Sequence, residues 1–356
     1  MTSMTVDGYT IREATERDVD GFLELHRTVF GTWPDDVAHE IFDWKYRANP
    51  FVDGLPVIVA VRDGTVVGAK GHFCLELAVD NASIRGVQTG DLMVHPEHRR
   101  QGLLSAMVEL DTALYDEGEQ LFFGVPSEAA IEGYLAAGRR LVQNPLYVRP
   151  LANGPTGDGS RGTRALQSAG VAAFRAYAAT VDRLVPTDAD VVVERTEDQP
   201  VELLERLYRR RVPDGIHAPR SAALYRWRFG DPLGEYATYL ARDGTEVIAG
   251  VVVSERDGAV FLRDVVPLDV DAGALRAIID AVVTEYSDRE YLASWCPASF
   301  DHRTLLRAGL VPSTVIPRFP YATDLVVRRV GESWTVRDTR VDDPESWDIQ
   351  LLERDY

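Results

Sequence analysis

The residues best suited to chemistry lie in one run, Thr89-Gly90-Asp91-Leu92-Met93-Val94-His95-Pro96-Glu97-His98-Arg99-Arg100-Gln101-Gly102-Leu103-Leu104-Ser105-Ala106-Met107. An apolar strand ends at Val94, Pro96 forbids its continuation, and a basic turn leads into a helix carrying Leu103, Met107, Leu110 and Leu114 on one face. This combination makes a site for two linked phosphates. The amides of the first helical turn have no partner inside the helix, the dipole end is positive, and glycine lets the chain come close. Arg99 and Arg100 add charge without supplying the geometry. His95 and His98 flank the turn and titrate in a useful range, which suits solvent or phosphate contact. His26 and His72 have no partner that the sequence reveals.

The elements that must hold this turn recur along the chain. Tyr9-Thr10-Ile11-Arg12-Glu13-Ala14-Thr15 reads as a short strand leading to a helix through Val19, Phe22, Leu23 and Leu25. Val191-Val192-Val193-Glu194-Arg195-Thr196-Glu197 leads in the same way to Val201, Leu204 and Leu207. Ile11 and Val193 are 182 positions apart, as are Leu25 and Leu207, and Trp44 and Trp227 are 183 apart. Trp44 with Tyr46 and Trp227 with Phe229 could form a cation cage, but their recurrence points to a shared core contact. Arg62-Asp63-Gly64-Thr65 and Arg242-Asp243-Gly244-Thr245 each lie between apolar runs, as hairpin turns do. Residues 153–160 are turn-rich and read as a linker, 165–184 as a connecting helix, and 347–352 alternate as a last strand would. Each unit therefore follows an α/β or α+β pattern.

A second segment stands at a telling distance from the turn. After an apolar strand at 120–125 comes Ser127-Glu128-Ala129-Ala130-Ile131-Glu132-Gly133-Tyr134-Leu135-Ala136-Ala137-Gly138. Val94-x-Pro96-x-x-Arg99-Arg100-Gln101-Gly102-Leu103 resembles the acetyl-CoA signature R/Q-x-x-G-x-G/A of the GCN5-related N-acetyltransferases, and the second segment resembles that family's N-x-x-A-x-x-x-Y-x-x-x-G in register. Leu104 replaces the last Gly or Ala of the first motif, and Ser127 stands at the Asn position of the second. A similar R-G-L-L form occurs in tandem members such as the mycobacterial enhanced-intracellular-survival type. The resemblance implies two tandem folds, each a mixed, mostly antiparallel sheet flanked by helices. It gives an acetyltransferase domain at 9–150, a linker and helix at 151–184, a degenerate domain of the same fold at 185–330 and a C-terminal tail at 331–356.

The resemblance also implies roles. The backbone of Leu92, Met93 and Val94 pairs with the pantetheine arm, the amides from Arg99, Arg100, Gln101, Gly102, Leu103 and Leu104 hold the pyrophosphate, and Ser127 joins the cofactor site. Transfer of an acyl group from a thioester to an amine needs a neutral nucleophile, a stabilised oxyanion and a proton for the departing thiolate. Tyr134 falls where the family's tyrosine protonates or orients the sulfur, and its other open role is to pack under the pantetheine. Asp91 falls where members place a carboxylate that takes the amine's proton, its other open role being a cap or an arginine partner. The second copy lacks this equipment. Val265-Val266-Pro267-Leu268-Asp269-Val270-Asp271-Ala272-Gly273 puts carboxylates where the arginines should be, and Leu305 takes the tyrosine's place. That half is expected not to bind CoA, and either to shape the acceptor cleft or only to stabilise its neighbour.

Composition narrows the remaining classes. The chain has 356 residues and a net charge of −18, and of 38 basic residues only Lys45 and Lys70 are lysines. Carboxylates spread over the whole length resemble the proteins of salt-accumulating halophiles, the alternative being attraction of a cationic substrate. No cluster of cations speaks for nucleic acid. No run approaches the roughly 18 to 20 apolar residues of a membrane span, and the start lacks a signal-peptide pattern, so a cytoplasmic location is expected. Cys74 and Cys296 are too few for a disulfide framework, have no metal-ligand spacing, and read as buried small hydrophobes. The expected activity is transfer of acetyl from acetyl-CoA to a small amine without a metal. A catalytically idle CoA-binding module and a Fem-like aminoacyltransferase are the rival readings.

Overall fold

The computed structural model describes residues 3–80, 82–115, 120–126, 128–142, 146–151, 174, 176–181, 183, 191–315, 324–328, 331 and 333–355. The expected linker at 153–160 lies outside the described residues; of the expected connecting helix, 174, 176–181 and 183 are described and helical.

The first half runs β1 (Ser3–Val6), β2 (Tyr9–Glu13), α1 (Val19–Val29), α2 (Ala38–Phe42), a π-helical turn (Asp43–Arg47), β3 (Val57–Arg62), β4 (Thr65–Val79), β5 (Ala82–Val94), α3 (Leu103–Tyr115), β6 (Gln120–Gly124), α4 (Glu128–Ala136), β7 (Arg140–Val142) and β8 (Leu146–Pro150). The second half repeats the order with β9 (Val191–Thr196), α5 (Val201–Arg210), α6 (Ala222–Phe229), β10 (Glu235–Asp243), β11 (Glu246–Arg256), β12 (Ala259–Val266), α7 (Ala272–Glu285), β13 (Tyr291–Trp295), α8 (His302–Arg307), β14 (Val311–Pro312) and β15 (Leu325–Val327). The fold is mixed α/β, with mostly antiparallel sheets flanked by helices. Asp-Gly turns close the hairpins because both residues accept positive φ, as at Asp63 (51°) and Gly64 (80°). The expected hairpins form, pairing Arg62 with Thr65 and Asp243 with Glu246.

The two sheets trade strands. One has the order β1-β2-β3-β4-β5-β6-β15-β7, the other β14-β8-β13-β12-β11-β10-β9. Strand β8, from the first half, lies between β13 and β14, while β15, from the second, lies between β6 and β7. The divisions expected at residues 150 and 330 thus fall beside the exchanged strands. A single apolar cluster joins the halves, running from Phe73, Leu75 and Leu77 through Leu224 and Trp227 to Trp347 and Leu352. At its rim Trp44 and Trp227 stack at 5.8 Å and each indole Nε1 donates to the other's backbone oxygen, at 2.6 and 2.8 Å. That reciprocity is what a duplicated core contact requires.

The tail departs from expectation. In place of a strand at 347–352 there is one bridge between Ile216 and Trp347 and a 3-10 turn at Leu351–Glu353. Alternation misleads here because the polar positions have no solvent face: Asp348, Gln350 and Glu353 are buried and individually bonded. Among the described residues no helix is long and apolar enough to cross a membrane.

Candidate functional site

Strand β5 pairs along its length with β4, but with parallel β6 only from Arg85 to Gln88. From Thr89 onward no strand among the described residues pairs with its edge toward β6. The register on β4 slips between Ala69 and Gly71, where Asp91 takes a φ of 42° and the strand bulges. Beyond Val94 the chain turns through Arg100 (φ 63°) and Gly102 (φ 73°) into α3. Left-handed residues in such a turn direct successive N–H groups to one side. The first helical bond runs from Ala106 N to Gly102 O, so the amides of Leu103, Leu104 and Ser105 have no partner among the described residues. A cavity of about 350 Å³ opens there, lined by Leu92, Met93, Val94, His98, Arg99, Arg100, Gly102, Leu103 and Leu104. Of the predicted cofactor residues, Gln101 borders this turn without lining the cavity, and Ser127 lies outside the described residues. His98 is held by Tyr9, whose hydroxyl lies 3.0 Å from Nδ1.

On one face of β5, Asp91 meets three groups from two segments, the π-helical turn and α1. Lys45 Nζ donates to it at 2.9 Å, the Tyr46 hydroxyl donates a short bond, and His26 Nε2 lies 3.9 Å away. Lys45 also reaches Asp355 at 2.9 Å, so one buried ammonium bridges two carboxylates. Burial works against that ammonium, but Asp355 and Asp91 outweigh it and hold Lys45 above the usual lysine range. Burial likewise pushes Asp91 upward, and Lys45 with the Tyr46 bond reverses this, so Asp91 stays below the usual carboxylate range. Burial and the neighbouring Asp91 raise Asp355 instead, against the pull of Lys45. Asp355 sits where a side chain on Gly90 would go: a Cβ there would meet its Oδ2 at 2.3 Å. Gln88 holds the tail in place, its amide donating to Glu353 O and accepting from Asp355 N.

The opposite face carries a second charged group. Lys70 and His72 of β4 converge on Asp111 of α3, with His72 Nε2 at 2.7 Å from Asp111, all three fully buried. Tyr134 of α4 is half-buried, and the Arg139 guanidinium lies 4.5 Å from its ring centre. The two candidate catalytic residues therefore share no partner: Asp91 faces the π-helical turn and the tail, and Tyr134 faces Arg139.

Comparison with known proteins fixes the family of this region. The sequence profile of the acetyltransferase (GNAT) domain matches residues 10–136. Residues 10–136 are a GNAT acetyltransferase domain. Solved structures share the fold over most of the chain: a GCN5-related N-acetyltransferase from Anabaena variabilis (TM-score 0.60, 14% identity, 91% of this chain and 73% of that one), one from Kribbella flavida (0.58, 17%, 90% and 70%), and a conserved protein of unknown function from Enterococcus faecalis (0.62, 9%, 90% and 72%). No curated protein matches the sequence.

Around the GNAT domain's open strand, sequence reasoning missed His26, Lys45, Tyr46, His72, Asp111 and Asp355. Tyr46 was read as core, which it also is, stacking edge-on with Phe22 and Phe42. For His26 and His72, alternation and spacing carry no signal, because their partners come from other elements. A buried lysine in a chain with only two was the one usable hint. Both cysteines are buried and free, as their composition suggested.

Proposed function

We propose that the protein transfers an acyl group from acyl-coenzyme A to the amine of a small acceptor, with acetyl-CoA as the simplest donor. The observation that carries this reading is the continuity of a strand edge, from Thr89 to Val94, that no described strand pairs with, and a helix start where the amides of Leu103, Leu104 and Ser105 have no partner among the described residues. An extended pantetheine arm can take the place of a strand beside Leu92, Met93 and Val94, and a pyrophosphate can sit on the amides from Arg99 to Leu104. GNAT membership supports it.

Tyr134 is the proposed proton donor to the leaving thiolate. On the other face Asp91 and Asp355 share Lys45 but are pushed in opposite directions, one kept ionised and the other made readier to take a proton. The amine's proton then goes to this carboxylate pair, with Asp355 the better acceptor and Asp91 fixing Lys45. The second half supports the tail that delivers Asp355, through Arg220 bound to Glu353 and Asp264. The acidic surface suits a cationic acceptor, and a cytoplasmic location suits the donor.

Calorimetry with acetyl-CoA, followed by a thiol-release screen across amino sugars, polyamines, amino acids and peptide termini, tests the reading. Saturable heat and amine-dependent thiol release are expected. Absence of heat in salt matched to the protein's needs would remove it, and heat without thiol release for any amine would leave only a CoA-binding module.

A further inference from the structure

We propose that the preferred acyl donor bears a carboxylate at the far end of its acyl group and that Arg139 receives it. This rests on the acyl-CoA reading above and names its donor class.

Arg139 is 9% exposed, and among the described residues its guanidinium has no carboxylate and no hydrogen-bond acceptor, only the ring of Tyr134. A buried cation in that state is costly unless an anion joins it. Among the described residues the carboxylate that acts on it, Asp111, is already engaged by Lys70 and His72. Burial, and then the nearby Arg139 and Arg328, bring the Lys70 ammonium down to about 8 despite its bond to Asp111. Arg328, contributed by the second half, stands 3.7 Å from the ring centre of Phe122.

The position identifies the missing anion. Phe122 pairs with Val87, one step before the last β5–β6 pair at Gln88, so Arg328 stands on a ring beside the place where the sheet opens, and Arg139 is near enough to feel the charges of both Arg328 and Asp111. The phosphate turn begins after Val94, six residues farther along an extended strand, about 20 Å away. A donor whose phosphates sit at the turn thus presents its acyl end, not a phosphate, to Arg139. Thr89 offers a further donor. It lies opposite His72 on β4, on the face of Asp111, and its hydroxyl is buried without a partner. A guanidinium and a hydroxyl without a hydrogen-bond partner among the described residues, at the acyl end, fit a carboxylate such as that of a dicarboxylic acid half-thioester.

The test compares acetyl-, butyryl- and succinyl-CoA on the full-length protein by calorimetry and by thiol release. Butyryl matches succinyl in length without the charge. Succinyl-CoA is expected to bind at least about tenfold more tightly than butyryl-CoA, a difference that a single charge-assisted contact supplies. Arg139→Gln should erase the preference and Arg139→Lys should retain part of it. Equal affinity for succinyl- and butyryl-CoA in the wild-type protein overturns the proposal without any variant. So does a loss in Arg139→Gln that lowers turnover equally with all three donors and leaves their affinities alone, since Arg139 would then serve the thiolate. If no CoA ester binds, the acyltransfer reading itself has failed, which is a separate result.

Discussion

Strands β5 and β12 end alike, each followed by a proline-containing turn and a helix, yet the rest of the chain treats them oppositely. At the end of β5 no described strand pairs with the edge, the turn carries Arg99 and Arg100 on the outside, and the first amides of α3 have no partner among the described residues. At the end of β12 the Gln350 side chain takes both backbone groups of Val265, its Oε1 accepting from N at 2.9 Å and its Nε2 donating to O at 3.1 Å. The Asp271 carboxylate caps α7 by accepting from the amides of Gly273 and Ala274. One half keeps its hydrogen-bonding groups available to a ligand, and the other satisfies them internally. The difference shows that one amide and one carboxylate are enough to satisfy a strand end and a helix start that the same order of elements elsewhere leaves unpaired among the described residues.

The helices that follow these turns differ as well, and the largest expected effect lies there. The inner face of α7 is apolar, with Leu275, Ile278, Ile279 and Val282, whereas α3 buries Asp111 against Lys70 and His72. Asp111→Asn leaves a buried ammonium without its counter-charge and should cost about 3–5 kcal/mol at neutral pH. Burial opposes the Asp111 charge, but His72 and Lys70 outweigh it and hold the group far below the usual carboxylate range. A carboxylate depressed on folding gives its full stability above its unfolded value, near ~4, and loses it as pH falls through the folded one. Urea melts of wild type and variant should therefore converge in acid, and a gap independent of pH would contradict the assignment.

Next in size, Arg99→Asp with Arg100→Asp gives the first turn the charge of the second. Acetyl-CoA affinity by calorimetry should drop on the order of 100-fold, as expected when repulsion replaces two phosphate contacts. Retained affinity would mean that the free amides alone suffice. Tyr134→Phe makes the first half resemble Leu305 in lacking a hydroxyl, and turnover should fall by an order of magnitude or more with CoA affinity spared, a positioned proton donor being worth roughly 100-fold or more. The smallest effect belongs to Asp271→Ala, which uncaps α7 and should lower stability by about 1 kcal/mol. It should not create CoA binding, since Gln350 still closes the strand. Heat from acetyl-CoA in a protein carrying Asp271→Ala together with the two arginine replacements would show that the cap, not Gln350, keeps the second edge shut.

Much of the first site was legible because its signals are local. Pro96, the arginine pair and Gly102 stand within a few residues of one another, and the Asp-Gly turns sit at the ends of apolar runs. The recurring order of elements was legible too, although spacing could not show that Trp44 and Trp227 would stack on each other. The tail was misread because alternation in 347–352 normally separates a wet face from a dry one, and here Asp348, Gln350 and Glu353 are all enclosed. His26 was unreadable for a related reason: its neighbour Asp91 belongs to a strand brought beside α1 only by folding.

By itself the sequence determined what depends on nearest neighbours: where strands stop, where turns form, and which helix start follows a basic, glycine-containing turn. Tertiary structure alone decided which of two similar strand ends would stay open, that Asp355 would lie on Gly90, and that the sheets would trade β8 and β15. The reason is that backbone conformation responds to the few residues on either side. A hydrogen-bonding group is satisfied by whatever the whole chain packs against it, and for Val265 that is an amide 85 positions away.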